Sequence, residues 1–158
     1  MKTKIVYLLL ALIVATGCKS STIIPPVDEV VIPANFAKGA DISWLPQMEA
    51  SGFKFYTATG VQKDCIEILK EYGINSIRLR VWVNPSDEKW SGHCGKEETV
   101  TMALRAKNAG MRIMIDFHYS DSWADPAKQI KPAAWANHDF AQLLKDVYDH
   151  TYDVMTAL

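Results

Sequence analysis

The sequence predicts an α/β fold of the (β/α)₈ TIM-barrel type, with a parallel sheet. Three apolar strand patterns alternate with three amphipathic helix patterns, an order typical of parallel sheets with crossover helices. The strand-to-helix connections are long, whereas the helix-to-strand turns at 73–75 and 110–111 are short. This asymmetry places the elaborated loops at the carboxyl ends of the strands. A doubly wound sheet stays possible, although the first loop lacks a glycine-rich phosphate motif.

The predicted strands span 36–43, 76–83 and 113–117. In the second strand, Ile77 and Leu79 point to one face and Arg78 and Arg80 to the other, because side chains alternate along a strand. The third is apolar and β-branched, which predicts a buried strand with one acid, Asp116, inside it.

The predicted helices lie at 64–73, at about 97–109 and from about 139 to the end. Asp64 is a suitable N-cap for the first, while Gly73 and Gly110 supply left-handed stops for the first and second. The third carries an apolar stripe at Phe140, Leu143, Leu144, Val147, Tyr148, Val154, Met155 and Leu158. The connections at 44–63 and 119–137 are predicted as loops.

The visible pattern covers only part of a closed barrel. A (β/α)₈ barrel needs about 250 residues, whereas this chain has 158 and shows three β/α units. We therefore expect residues 36–158 to form the amino-terminal part of a larger barrel domain, with open sheet edges.

The first residues predict an exported protein. Lys2 and Lys4 precede an apolar run at 5–14, which is shorter than the roughly 20 residues that span a bilayer. Ala-Thr-Gly before Cys18 resembles a bacterial lipoprotein cleavage box, although Leu is more usual where Ala15 stands. We expect a signal peptide at 1–17, lipidation of Cys18 and a tether at 18–35. This predicts a membrane-anchored lipoprotein, periplasmic or on the cell surface; an ordinary secretory signal is the alternative.

Composition limits the partners and the redox chemistry. A net charge of −1 shows no basic surface for nucleic acid. Cys65 and Cys94 remain after lipidation of Cys18, and in an exported protein they either pair or stay free. The cysteines have no metal-ligand spacing.

Polar and aromatic residues follow the third strand closely, which indicates a sugar site. Asp116 and His118 project to the same side, since they are two residues apart in a strand. Flat rings stack on sugar faces, and acids and imidazoles bond hydroxyls. A simple structural Asp–His pair is the alternative, and a metal site built from Asp116, His118, Asp121 and Asp125 is a further one, without a second histidine at ligand spacing.

Three long motifs appear in order along the chain. They read Gly-Ala-Asp-Ile-Ser-Trp-Leu-Pro at 39–46, Ser-Ile-Arg-Leu-Arg-Val-Trp-Val-Asn-Pro at 76–85, and Asp-Phe-His-Tyr-Ser-Asp-Ser-Trp-Ala-Asp-Pro at 116–126. Together with Lys-Pro-Ala-Ala-Trp at 131–135, they resemble glycoside hydrolase family 53, the arabinogalactan endo-β-1,4-galactanases.

The resemblance implies a retaining barrel enzyme that cleaves β-1,4-galactan in the type I arabinogalactan of pectin, with no cofactor. The family uses two glutamates, an acid/base after the fourth strand and a nucleophile at the end of the seventh. A retaining pair lies about 5–5.5 Å apart. Both are expected beyond Leu158, and the glutamates present are assigned to helices, loops or the tether, with Glu49 and Glu88 in loops. The 158-residue chain is therefore predicted to be inactive alone.

The resemblance also implies substrate-binding residues. Arg80 resembles the arginine that keeps the nucleophile ionised, and His118 resembles the third-strand histidine near the cleavage point. Arg78 is expected to serve in place of Arg80 or to pair with Asp116. The other candidates, for contact with the sugar or with the residues that hold it, are Asp41, Trp82, Asn84, Asp116, Ser120, Asp121, Trp123 and Asp125.

Two other functions fit the same sequence. A lipid-anchored surface protein could bind glycan without cleaving it. A related glycosidase could act on another β-1,4-glycan, such as mannan or cellulose.

Overall fold

The computed structural model describes residues 33–86, 88 and 93–158. The signal peptide at 1–17, Cys18 and nearly all of the tether lie outside the described residues and stay predictions. Residues Asn35–Leu158 form one compact unit. Within the described ranges, no helix is both long enough and apolar enough to cross a membrane.

The described strands are β1 (Gly39–Asp41), β2 (Phe55–Tyr56), β3 (Gln62–Lys63), β4 (Ser76–Val81) and β5 (Arg112–Phe117). A three-stranded parallel sheet in the order β1-β4-β5 forms the centre of the described fold, and β2 and β3 form a separate antiparallel hairpin. The helices are α1 (Leu45–Ala50), α2 (Cys65–Glu71), α3 (Lys96–Asn108) and α4 (Phe140–Ala157), with a 3₁₀ turn at Ala133–Trp135. The predicted alternation of strands and helices is confirmed.

Local sequence explains where the helices begin and end. The Asp64 carboxylate accepts a hydrogen bond from the Ile66 amide at 2.8 Å and so caps α2. Asp139 and Gln142 form a capping box at the start of α4. Gly73 and Gly110 take positive φ values of 84° and 76° just after α2 and α3, where a side chain would be strained.

Several predicted boundaries are wrong. The first strand, predicted at 36–43, spans only Gly39–Asp41. The connection at 44–63 contains α1 and the hairpin, so Glu49 lies on a helix and not in a loop. The second strand ends at Val81 because the next two amides bond to loops: Trp82 N–H donates to the Cys94 carbonyl and Val83 N–H to the Ser120 carbonyl, both at 2.9 Å.

The two faces of the sheet differ in chemistry. Ile77 and Leu79 of β4 are buried against Met102 and Ala106 of α3, within one apolar core. Arg78 of β4 lies in register with Asp41 of β1, and their side chains are 40% and 34% exposed. The apolar face therefore stabilises the fold, and the polar face is left to form a site.

The third strand and the last helix carry exposed apolar surface, as expected where three strands leave the sheet open. The first half of β5 is exposed, because among the described residues only β4 pairs with it. Val154 is the single buried residue of α4, whereas Phe140 is 77% exposed and Tyr148, Leu144 and Met155 are also exposed. An apolar stripe of this kind normally faces a core.

Polar bonds join the amino ends of the sheet. The Asn75 side chain accepts hydrogen bonds from the Lys38 amide at 2.9 Å and from the Arg112 guanidinium at 3.1 Å. Arg112 also donates to the Asn35 carbonyl at 2.9 Å. These contacts lie at the end of the sheet opposite the predicted site.

Candidate functional site

An ion-pair bridge crosses the polar face of the sheet. The Arg78 guanidinium, in the central strand, donates to the Asp41 carboxylate of β1 and to the Asp116 carboxylate of β5. The predicted pairing of Arg78 with Asp116 is confirmed. One cation thus partners two acids that would otherwise be costly to place together in a partly buried position.

The ring of His118 has both nitrogens occupied inside the protein. Nδ1 lies 3.1 Å from Trp82 Nε1, which is a donor only, so Nδ1 accepts this hydrogen bond. Nε2 therefore carries the proton and donates to Asp116 at 2.9 Å. His118 presents its ring, not a free nitrogen, to a ligand. It acts on the site by holding Trp82 and Asp116 in place.

Ser43 organises Asp41, a role that the sequence did not reveal. Its hydroxyl and amide donate to Asp41 Oδ1 at 2.6 and 2.9 Å, and the hydroxyl accepts the Arg80 amide at 2.8 Å. Burial raises the pKa of Asp41, but the hydrogen bonds from Ser43 and Arg78 outweigh it and hold this pKa below its usual value of 3.8. The Asp-x-Ser spacing at 41–43 is a usual turn signal.

The stability of Asp41→Asn is expected to fall less than that of wild type as the pH is lowered from 7 to 2. Because the folded-state pKa is lowered, the ionised carboxylate stabilises the protein above pH 3.8, and this stability is lost as the pH falls through the folded pKa. Urea midpoints measured from pH 7 to pH 2 should therefore converge for wild type and Asp41→Asn at low pH. The difference in urea midpoint between Ser43→Ala and Asp41→Asn should change less with pH than the difference between wild type and Asp41→Asn. A difference between wild type and Asp41→Asn that stays constant from pH 7 to pH 2 would contradict the assignment.

Arg80 is a buried cation surrounded by tryptophans. Its residue is 3% exposed, and its guanidinium carbon lies 3.9 Å from the ring centre of Trp123, 5.2 Å from that of Trp82 and 5.6 Å from that of Trp44. Among the described residues it forms no ion pair, and its Nε is buried without a hydrogen-bond partner. The arrangement suits an ion pair with an anionic group that lies outside the described residues.

Two tryptophans form an exposed aromatic wall beside Arg80. Trp44 and Trp123 are 51% and 44% exposed, and their ring centres lie 5.5 Å apart, edge to face. With Asp41 and Arg80 they line an open cavity of about 330 Å³. Exposed rings beside polar groups suit a sugar ring. The sequence interpretation included Trp123 but omitted Trp44, although Trp44 stands directly after the first strand within the first motif.

The remaining predicted site residues mainly shape the loops. Asp121 accepts the Asn84 amide at 3.0 Å and the Ala133 amide at 2.8 Å, and so joins two loops. The Ser120 hydroxyl donates to the Ser122 carbonyl. Asp125 accepts the Ala127 amide at 2.7 Å and borders a second cavity, of about 520 Å³, on which His118 also lies. The side chain of Asn84 is exposed.

The described residues do not support a metal site or a cysteine bridge. In this part of the chain, no three His, Cys, Asp or Glu side chains are placed to hold a metal ion. Asp121 and Asp125 accept backbone amides instead of converging with Asp116 and His118. Cys65 and Cys94 are both free thiols. Burial raises the pKa of each thiol above its usual value.

Solved structures identify the class of protein that this fold and cleft define. The chain matches the Ignisphaera aggregans GH53 catalytic domain with a TM-score of 0.74 and 44% identity, over 85% of this chain and 38% of that one. It also matches a structure from work on two fungal beta-1,4-galactanases, with a TM-score of 0.71 and 40% identity over 77% of this chain and 35% of the other. The described sheet and helices are therefore those of glycosidase catalytic domains in the TIM-barrel family.

Residues 37–158 match the model of glycosyl hydrolase family 53, and the chain belongs to this family. The predicted family is confirmed. The chain is 42% identical over 121 residues to an endo-beta-1,4-galactanase of Bacillus subtilis, covering 74% of this chain and 28% of the relative. It is 38% identical over 124 residues to an arabinogalactan endo-beta-1,4-galactanase of Cellvibrio japonicus, covering 78% and 32%. The chain thus spans about a third of the length of these curated relatives.

Proposed function

We propose that this chain forms part of an endo-β-1,4-galactanase that hydrolyses type I arabinogalactan. The observation that carries the proposal is Arg80, a buried guanidinium with no carboxylate partner in the described part of the chain, next to an open aromatic cleft at the carboxyl ends of parallel strands. Catalytic groups of TIM barrels lie at this end of the strands. The curated relatives named as galactanases support the choice of substrate.

The mechanism that we propose is retaining, with two glutamates contributed by residues after Leu158. A guanidinium within about 4–6 Å of a carboxylate lowers its pKa by one to three units. Arg80 would then keep the nucleophile ionised at neutral pH, and the nucleophile would satisfy the unpartnered Nε.

The glutamates of the described region do not supply this pair. Glu49 is bound to Arg105 at 2.8 Å, and Glu67, Glu71, Glu97 and Glu98 lie on α2 and α3. None of these five stands at the carboxyl end of a strand of the parallel sheet, where a catalytic carboxylate of this fold is placed. Glu88, in the connection between β4 and α3, is a single carboxylate and cannot form the pair by itself.

Substrate contacts in the proposal come from the aromatic wall. Trp44 and Trp123 stack on galactose rings, and Asp41 borders the same cavity. Trp82, Asp116 and His118 fix the floor below, while Asn84, Ser120, Asp121 and Asp125 shape the loops around it. This division of roles follows from which polar atoms are already bonded within the protein.

Residues 36–158 are proposed to be the first three β/α units of the barrel. The exposed half of β5 and the apolar stripe of α4 support this, because both are surfaces that a neighbouring β/α unit would bury. We further propose that residues 1–17 direct export and that lipid on Cys18 anchors the protein. An anchored enzyme outside the cytoplasm would meet a polysaccharide that cannot cross the membrane.

The test compares the 158-residue chain with a version extended through the reading frame after Leu158. Reducing ends released from β-1,4-galactan are measured for both, with mannan and cellulose as control substrates. We expect activity on galactan from the extended chain only. Activity of the short chain would show that its own carboxylates suffice. A folded extended chain whose migration is slowed in a gel that contains galactan, but which releases no reducing ends, would favour the glycan-binding alternative. Cleavage of mannan or cellulose instead of galactan would change the substrate.

A further inference from the structure

A buried thiol makes the single directional contact of the Arg80 guanidinium within the described residues. Cys94 Sγ lies 3.5 Å from Arg80 Nη2 and 3.4 Å from the Ser43 carbonyl. Cys94 is buried, at 3% exposure. The thiol therefore accepts from the cation and donates to the loop that follows β1, so that its proton and its lone pair both have partners.

The backbone around Cys94 is held in an unusual conformation. His93 and Cys94 have φ values of 70° and 60°, in the left-handed region that side-chain residues seldom occupy. The Glu98 carboxylate, in the first turn of α3, binds the Cys94 amide at 2.9 Å and His93 Nδ1 at 2.6 Å. The Cys94 carbonyl accepts the Trp82 amide at 2.9 Å. Several contacts thus maintain the conformation that brings Sγ to Arg80, which points to a role for this geometry.

The tryptophan rings cannot replace this contact. A cation above an aromatic face is attracted to the ring quadrupole wherever its N–H groups point. The attraction to Trp44, Trp82 and Trp123 therefore restrains only weakly the direction in which the guanidinium N–H groups point. A hydrogen bond from Nη2 to a fixed sulfur does restrain it, because such a bond depends on direction.

We propose that Cys94 is a positioning residue for Arg80: its thiol fixes the orientation of the guanidinium, and therefore which N–H groups stay free for the nucleophile carboxylate. This role rests on the proposed galactanase function. It assigns a task in the active site to a cysteine that, among the described residues, forms neither a disulfide nor a metal site. The thiol itself makes and breaks no bond.

The test uses the extended chain with Cys94→Ala, Cys94→Ser and a matched control, Thr99→Val. Thr99 is also buried and its hydroxyl donates to the Arg80 carbonyl at 3.3 Å, so its loss loosens the same segment without touching the guanidinium. We expect Cys94→Ala to lower kcat on galactan about 5- to 10-fold with little change in KM, since one weak hydrogen bond is lost. The acid limb of its pH–rate profile should move to higher pH, because a poorly oriented guanidinium lowers the pKa of the nucleophile carboxylate less.

The variants separate positioning from simple destabilisation. Cys94→Ser keeps a donor and an acceptor and should recover part of the lost kcat. Thr99→Val should unfold at a lower temperature but keep the wild-type pH profile. The proposal is overturned if Cys94→Ala keeps kcat and the pH profile, or if Thr99→Val reproduces its effects.

A second measurement does not depend on activity. In protein labelled with ¹⁵N at arginine, the Arg80 Nη2–H signal should be sharp and exchange slowly with solvent in wild type, because Nη2 donates to the buried Cys94 sulfur. It should exchange at least about 10-fold faster in Cys94→Ala, because the restraint on the guanidinium is gone. An extended wild-type chain without galactanase activity would refute the proposed function, yet the Arg80 signal would still report on Cys94. An unchanged signal in Cys94→Ala would refute the positioning role.

Discussion

Replacing Arg80 with methionine in the extended chain is expected to lower kcat on galactan about 100- to 1,000-fold, the usual cost of removing one preorganised electrostatic group. The cation is buried and makes no ion pair among the described residues, so its charge is available for a catalytic carboxylate. The acid limb of the pH–rate profile should also shift to higher pH by about one to three pH units, because the nucleophile loses the neighbouring positive charge that lowers its pKa. Reducing-end assays from pH 4 to pH 8 measure both effects.

The stability of Arg80→Met made in the 158-residue chain should change little. There the buried guanidinium has no counter-charge among the described residues, and methionine retains contact with the aromatic rings. Arg112→Met is the matched control, since Arg112 bonds to Asn35 and Asn75 at the amino ends of the strands. This variant should keep its kcat. An Arg80→Met enzyme with wild-type kcat would exclude Arg80 from the mechanism.

Replacing Trp82 with alanine is expected to lower the free energy of unfolding by about 3–5 kcal/mol, as for other large buried aromatic residues. Trp82 is 1% exposed, contacts Arg80 and donates its indole N–H to His118. Total stabilities of domains are about 5–15 kcal/mol, so this single change removes a large share. Urea unfolding of the extended chain, followed by circular dichroism, measures the loss.

Trp82→Phe separates packing from the hydrogen bond. The ring is largely replaced, but His118 Nδ1 loses its donor, and a buried acceptor without a partner costs about 1–3 kcal/mol. Trp123→Ala serves as the comparison, because Trp123 is partly exposed and its removal leaves a smaller cavity. A loss for Trp82→Ala no greater than that for Trp123→Ala would show that Trp82 does not stabilise the floor of the site.

Short-range chemistry explains why much of the fold was predictable. The apolar alternation in β4 and the signals at Asp64, Gly73 and Gly110 act within a few residues and are visible in a single sequence. The hairpin at 55–63 was missed because each of its strands has only two residues, too few to show a periodicity. Open edges were expected because three strands cannot close a barrel. Which side chains of β5 and α4 are exposed was not readable, because burial depends on which other elements pack there and a local pattern does not contain that information.

The composition of the site was readable in the sequence, whereas the partner of each atom was not. The motifs marked Arg80, Trp82, Asp116 and His118 and indicated the family. The tertiary structure showed that Arg78 joins two acids, that both nitrogens of His118 are occupied, and that Ser43 and Cys94 hold Asp41 and Arg80. These contacts join residues up to 38 positions apart. They exist only because parallel strands bring their carboxyl ends to one edge, and the bonds that a side chain forms there decide whether it faces a ligand or supports its neighbours.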